Sequence, residues 1–173
     1  MPDYDVTDVE YYHFLTPEER HTIPYQRLDF ALMDKDKSDI AREIIEAHPG
    51  TLDGFSTKGE GHPVQCVPID FAAYGGDVEM VRWLLRRGAA ADARRDDRDG
   101  TALRGAVEQA AKAWTLDDPD VAVFFRIIRL LIDAGADPHL RCSNGTPDEL
   151  YRLYRDVGLL DALAEFERRH GPG

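Results

Sequence analysis

Little in this sequence favours a secreted, membrane-bound or nucleic-acid-binding protein. The 173 residues include 33 acidic and 21 basic side chains, a formal net charge of −12, so a nucleic-acid duplex or an anionic membrane would repel the chain. No basic stretch followed by an apolar run marks a signal peptide at the N-terminus. The most apolar window, residues 121–136, is interrupted by Arg126, Arg129 and Asp133 and is too short and too charged to span a bilayer. We therefore predict a cytoplasmic protein that has neither nucleic acid nor a membrane as its partner.

Motifs of cofactor chemistry are also missing. The sequence has no nucleophile elbow, phosphate-binding loop or glycine-rich dinucleotide fingerprint. His62 and Cys66 offer two potential metal ligands, but a zinc site needs a third and a fourth. We predict no cofactor and no bound metal.

What the sequence does contain is a pattern that recurs. Residues 67–92 read VPIDFAAYGGDVEMVRWLLRRGAAAD, and a second copy opens with GTALRGA at residues 100–106 and closes with IIRLLIDAGADP at residues 127–138. An earlier copy begins with LDFA at residues 28–31, and a further one begins with NGTP at residues 144–147. The pattern predicts a short helix, a tight turn, an apolar helix and a Gly-Ala-Asp closure, repeated about every 33 residues.

This pattern resembles the ankyrin repeat. The resemblance implies an all-α solenoid of about four helix-turn-helix repeats, in which each repeat buries its apolar face against its neighbours. We expect the array over residues 26–169, with the acidic and aromatic residues 1–25 as a segment that caps its first repeat. Because Arg exceeds Lys and Ala and Asp are abundant, the chain is similar to small stand-alone bacterial proteins of this type.

The best-preserved unit shows why such a repeat folds. Pro68 suits the first turn of a short helix because its ring fixes φ. Gly75 and Gly76 suit the turn that ends this helix. Val81 and Leu84 then lie on the apolar face of the returning helix.

Two stretches depart from the family pattern. An insertion of roughly a dozen residues that includes Trp114 separates the helices of the third repeat, and a polar link, residues 51–66, joins the first repeat to the second. In a protein that only binds a partner, such lengthened loops need no fixed structure. We therefore expect residues 54–64 to be poorly packed, and we expect no enclosed pocket to join His62 or Trp114 to Asp70.

The two cysteines, Cys66 and Cys142, stand just before the second and the fourth repeat. Repeats stack at roughly 10 Å, so cysteines two repeats apart lie beyond disulfide distance. We expect two free thiols, as in a reducing compartment.

The resemblance also implies a binding surface. In this family, partners bind the concave side, which is built from the first helices and the turns before them. Carried over residue by residue, the binding positions are Met33, Asp34, Tyr74, Glu108, Gln109 and Tyr154 on the helices, Gln65, Asp97, Arg98, Arg141 and Ser143 in the turns, and Trp114 in the insertion. Two tyrosines among mixed charges suit recognition of a protein, and the net negative charge favours a basic one. We therefore favour a non-catalytic protein-binding module that serves as a scaffold, a regulator or a toxin-neutralising partner.

An enzyme is the alternative hypothesis. If both insertions fold over the groove, they close a pocket over a carboxylate base, a phenol and a guanidinium able to stabilise an oxyanion. The residues of this hypothesis are Asp70, Tyr74, Arg104, Glu108 and His62. The reaction would be a cofactor-independent dehydration, conjugate addition or cyclisation of a small molecule in a bacterial specialised-metabolite pathway. The sequence leaves open the choice between binding and catalysis.

Overall fold

The described part of the chain is built from α-helices. The computed structural model describes residues 17–58, 61–94, 100–112, 118–142 and 144–171, with side chains from Pro24 onward. The helices are α1 (Pro17–Leu32), α2 (Ser38–Ala47), α3 (Pro68–Tyr74), α4 (Val78–Arg86), α5 (Ala102–Lys112), α6 (Pro119–Asp133), α7 (Pro147–Arg155) and α8 (Leu159–His170). Within the described residues, β pairing is limited to two isolated bridges, Phe55 with Cys66 and Cys142 with Gly145. The all-helical class predicted from the sequence is confirmed for these residues.

The helices pack in consecutive pairs that form two rows. α1 packs on α2, α3 on α4, α5 on α6, and α7 on α8. The first helices of successive pairs also contact one another, in the order α1, α3, α5, α7. The second helices α4, α6 and α8 form a parallel row of contacts. First helices from all four described pairs therefore lie side by side.

The second pair folds as its sequence predicts. Pro68 occupies the first turn of α3, and Gly75 ends that helix. Gly76 has φ of 76°, a left-handed conformation that glycine adopts at little cost. The side chain of Asp77 then caps α4 by accepting a hydrogen bond from the Met80 N–H at 2.9 Å.

The last pair carries a linked set of caps. Thr146 Oγ1 accepts from the Glu149 N–H at 3.1 Å, while Glu149 Oε2 accepts from the Thr146 N–H at 2.9 Å, which is a capping box. Asp148 Oδ1 accepts from the Leu159 N–H at 2.7 Å. Asp148 therefore caps α8, because the residue at its N-cap position, Gly158, has no side chain with which to do so.

Aspartates tether the closures of neighbouring pairs. Asp53 Oδ1 accepts from the Ala90 N–H at 2.7 Å, and Asp92 Oδ2 accepts from the Asp137 N–H at 3.3 Å. Burial raises the pKa of Asp92 despite this hydrogen bond. The Gly-Ala-Asp closure of one pair thus fixes the position of the next.

Aromatic rings and small side chains share the core. Phe125 of α6 has no exposed surface, stacks on Phe166 with ring centroids 5.0 Å apart and meets Tyr151 edge-on at 6.1 Å. Ala73 of α3 and Ala106 of α5 are also fully buried. Small residues in the first helices let adjacent pairs approach closely.

The first helix crosses the predicted boundary at residue 25. α1 is continuous across residue 25, where the sequence suggested a boundary, and both Tyr25 and Leu28 are buried in the core.

Cys66 and Cys142 are buried free thiols, as expected from their spacing.

Candidate binding site

Large apolar side chains that reach solvent concentrate on the row of first helices. They are Phe30 and Met33 on or next to α1, Tyr74 on α3, and Leu153 and Tyr154 on α7, each at least half exposed. The other exposed large hydrophobics of the described chain are Val157 and Leu160 in the last pair. Helices α2, α4 and α6 expose none in their described residues. The row of first helices is therefore the more apolar outer surface, and below we call it the first-helix face.

A charged strip on α5 occupies the middle of this face. Glu108 Oε1 accepts a hydrogen bond from Lys112 Nζ at 2.8 Å, and Glu108 Oε2 lies 3.8 Å from Arg104 Nη1. The hydrogen bond to Glu108 is the main cause that raises the pKa of Lys112, with smaller electrostatic contributions from Tyr74 and Tyr154. The strip thus lies within electrostatic range of a tyrosine on each neighbouring first helix.

Tyr74 packs beside a glycine in the middle of α5, close to this strip. A Cβ atom on Gly105 would lie 3.6 Å from Tyr74 Cδ2 and 3.4 Å from Asp70 Oδ1. Asp70 itself is 9 % exposed. These are ordinary van der Waals distances, so Tyr74 and Asp70 of α3 pack against α5 at the position of Gly105. The sequence signal was a glycine inside a helical pattern, where it otherwise costs stability.

Other predicted binding residues make contacts with neighbouring residues of the chain itself. Asp34 caps the 3₁₀ turn after α1, where it accepts from the Asp36 N–H at 3.0 Å and lies 3.5 Å from Lys37 Nζ. Gln65 is half-buried, and its Oε1 lies 3.5 Å from Ser56 Oγ. Gln109 on α5 is half-buried as well.

Some predicted positions lie outside the described residues, and some exposed positions were missed. Asp97, Arg98, Trp114 and Ser143 are the predicted ones that fall outside. Sequence reasoning missed Phe30, whose ring has Lys37 Nζ 4.0 Å from its centroid, and Leu153, which is 80 % exposed. Both are apolar residues in helices, so only the packing distinguishes them from core positions.

The residues of the catalytic hypothesis are only partly brought together. Tyr74 lies beside α5, which carries Arg104 and Glu108, and Asp70 packs against Gly105. Glu108 already pairs with two cations of its own helix. His62 borders a different feature, a cavity against α1 and the turn after α2. The geometry therefore gives this hypothesis no added support.

The long link between the first two pairs corrects one expectation. Phe55 and Ser56 are each only 4 % exposed, so the prediction that residues 54–64 are poorly packed is wrong for these two. Phe55 stacks on Tyr25, with ring centroids 6.2 Å apart and planes inclined by 30°. The Phe55 side chain therefore anchors this end of the link on α1.

The described residues contain no group of three or more His, Cys, Asp or Glu side chains that can hold a metal ion. Among the described helices, none has both the length and the apolar content needed to cross a membrane.

Paired helices that stack through a row of first helices define a helical-repeat protein. The family model for the ankyrin repeat matches residues 65–97, which include α3 and α4. Residues 65–97 therefore match an ankyrin repeat, as the sequence pattern predicted. No curated protein matches the chain. Ankyrin repeats generally mediate protein–protein interaction.

Proposed function

We propose that this protein is a non-catalytic protein-binding module and that the first-helix face is its binding surface. The observation that carries the proposal is the uneven distribution of exposed apolar side chains. Tyr74 and Tyr154 are 52 % and 50 % exposed on first helices, whereas α2, α4 and α6 expose no large hydrophobic residue in the described chain. Tyrosines supply large contact areas with few rotatable bonds and are enriched among the residues that dominate binding energy.

The face combines these rings with paired charges, which suits a protein partner. Glu108 lies between Arg104 and Lys112 on α5, so a partner residue of either sign finds a counterpart there. Phe30 and Met33 extend the apolar surface toward the first pair. Such a mixture of aromatic anchors and a polar surround is typical of protein interfaces.

The net charge favours a basic partner. With a formal charge of −12, the molecule attracts a basic protein over distances of about the Debye length. A scaffold, a regulator or a toxin-neutralising protein fits this description. The association rate with such a partner should fall as salt is added.

The finer architecture belongs to the same proposal. We take the four helix pairs as four ankyrin repeats in one solenoid, with residues 1–25 as an N-terminal cap and residues 26–169 as the array. The two departures from the family spacing, at residues 51–66 and around Trp114, are then insertions in this array. The two-row packing of the helices supports this interpretation.

The test compares tyrosine variants with a variant on the opposite row. The full chain captures partners from a lysate of its own organism, and the affinity of each recovered protein is then measured by calorimetry. Tyr74→Ala should weaken the Kd about 10-fold to 30-fold, the loss expected for a central aromatic anchor. Tyr154→Ala should cost less, and Arg126→Ala, an exposed change on α6, should leave the Kd unchanged.

Two outcomes would contradict the proposal. One is a partner whose affinity falls with Arg126→Ala and not with either tyrosine variant, which would place the interface on the other row. The second is turnover of a small molecule that Asp70→Asn or Glu108→Gln abolishes while the helical signal in circular dichroism is retained.

A further inference from the structure

A cavity of about 510 Å³ lies where the long link packs against the first helix pair. Its walls include Tyr25, His48, Thr51, Phe55, Ser56 and His62, so it uses none of the residues that form the first-helix face. We infer that this cavity binds a small, uncharged, planar aromatic molecule that carries a hydroxyl group. Its volume falls within the roughly 300–1,000 Å³ of small-molecule pockets.

The wall formed by the link is held in place by specific bonds. The Phe55 N–H donates to the Cys66 carbonyl at 2.8 Å, and the Cys66 N–H donates to the Phe55 carbonyl at 3.0 Å. The Cys66 thiol lies 3.1 Å from Asp29 Oδ1, which connects this bridge to α1. Gly54 has φ of 150°, and a Cβ atom there would lie 2.5 Å from Val64 Cγ1. The two ends of the loop therefore close tightly and hold the cavity wall in a defined position.

Aromatic rings form one side of the cavity. Tyr25 lies with its ring centroid 6.2 Å from that of Phe55 and 6.2 Å from that of His48, at interplanar angles of 30° and 42°. Rings of this kind prefer to stack, offset or edge-on, with another aromatic group. A planar aromatic ligand therefore fits this side better than an aliphatic one.

Hydrogen-bonding groups form the other side. Thr51 Oγ1 donates to the His48 carbonyl at 2.7 Å, so its lone pairs are available to accept a hydrogen bond from a ligand hydroxyl. The Ser56 hydroxyl accepts from the Lys58 N–H at 3.2 Å and is 4 % exposed as a residue.

The lining also argues against a charged ligand. The described residues that line the cavity include no Asp, Glu, Lys or Arg side chain. A charged ligand would lose hydration without gaining an ion pair from an Asp, Glu, Lys or Arg of the described lining, which is costly. An uncharged ligand avoids this cost.

The test uses 2-naphthol, which is neutral at pH 7 and fluorescent, with the full chain. Its fluorescence titration should give a Kd of about 0.1–1 mM, as expected for a ligand of this size. 2-Methoxynaphthalene, which cannot donate a hydrogen bond, should bind about threefold to tenfold more weakly. The anion 2-naphthoate should bind still more weakly. Equal binding of 2-naphthoate would overturn the assignment of an uncharged ligand.

A matched pair of glycine variants locates the site. A Cβ atom on Gly50, which lines the cavity, meets nothing within 4 Å, so Gly50→Phe can place a ring in the cavity without a backbone clash. Gly100 offers the same open space but does not line the cavity. Gly50→Phe should abolish binding of 2-naphthol, whereas Gly100→Phe should retain it. Absence of binding at millimolar 2-naphthol, or equal binding by both variants, would refute the site.

A second variant keeps the test decisive if Gly50→Phe fails to fold. Thr51→Val keeps the shape of the side chain and removes the hydroxyl that accepts from the ligand. It should weaken 2-naphthol about threefold to tenfold and leave 2-methoxynaphthalene unchanged. An equal loss for both ligands would contradict the proposed hydrogen bond. Amide NMR shifts on addition of 2-naphthol should centre on Phe55 and Ser56.

Discussion

The joint between the first and second helix pairs retains a crevice, whereas helices of both rows contact one another at the joint between the second and third pairs. At the first joint a crevice of about 270 Å³ remains between Ala31, Ala41 and Ala72. At the second joint Ala73 and Ala106 are fully buried. We call these the first joint and the second joint.

The difference shows that small side chains allow close packing but do not enforce it. At the second joint both rows of helices touch, α3 with α5 and α4 with α6. At the first joint α1 contacts α3, while polar side chains join the second helices. Ser38 donates to Asp77, and Arg87 donates to Glu46. The long link, residues 51–66, joins the first pair to the second at this joint. A longer stretch of chain therefore connects these two pairs.

The largest expected effect is the loss of a fully buried ring from the core. Phe125→Ala should lower the free energy of unfolding by about 3–5 kcal/mol, because it empties a fully buried site between two other rings. Phe71→Ala, at a half-buried position that lines the crevice, should cost only about 1–2 kcal/mol. Urea denaturation followed by circular dichroism measures both. Equal losses would mean that the crevice is as tightly packed as the core.

Larger side chains at the two joints test the difference between them directly. Ala106→Leu should cost about 1–3 kcal/mol, because Ala106 is fully buried on a helix that packs against α3, α6 and α7. Ala72→Leu should cost less, since Ala72 lines the crevice of the first joint. Both alanines are buried and lie on first helices, so thermal or urea denaturation of the two variants is a matched comparison. A larger loss for Ala72→Leu would show that the crevice closes in solution.

The fold could be predicted from the sequence because its signals are local. Pro68, Gly75 and Gly76 lie within nine residues of one another and define one helix and its turn. The same spacing recurs, so each unit supports the interpretation of the next.

The burial of Phe55 in the link and much of the site could not be predicted in this way. Burial of Phe55 depends on Tyr25, which is thirty positions earlier in the sequence and lies on α1. Exposure of Phe30 and Leu153 depends on which helices pack beside α1 and α7. Contacts between distant segments are not encoded in any short pattern, so a polar composition suggested a loose loop and an apolar residue suggested the core.

The smallest expected effect concerns two carboxylates, Asp148 at the cap of α8 and Asp92 at the closure of the second pair. Their pKa values shift in opposite directions. Burial alone raises the pKa of Asp148, but hydrogen bonds from the Arg152 side chain and the Leu159 N–H outweigh it, so the pKa lies below its ordinary 3.8. The pKa of Asp92 lies above 3.8, chiefly because of burial. Ionised Asp148 therefore stabilises the fold above pH 3.8, and this contribution is lost as pH falls through its lowered pKa. Ionised Asp92 is unfavourable in the fold, and its penalty disappears as pH falls through its raised pKa toward 3.8.

Asparagine variants separate these two contributions. Relative to the unmodified protein, Asp148→Asn should lose more stability at pH 7 than at pH 3, because only the carboxylate gains the charge-assisted bonds. The stability of Asp92→Asn, relative to the unmodified protein, should be higher at pH 7 than at pH 3, because the variant removes a partly buried charge. Urea midpoints of the three proteins between pH 3 and pH 7 measure both trends, and the steric change is the same at every pH. If the two variants follow the same trend with pH, burial does not dominate the pKa of Asp92, and its carboxylate contributes to stability as that of Asp148 does.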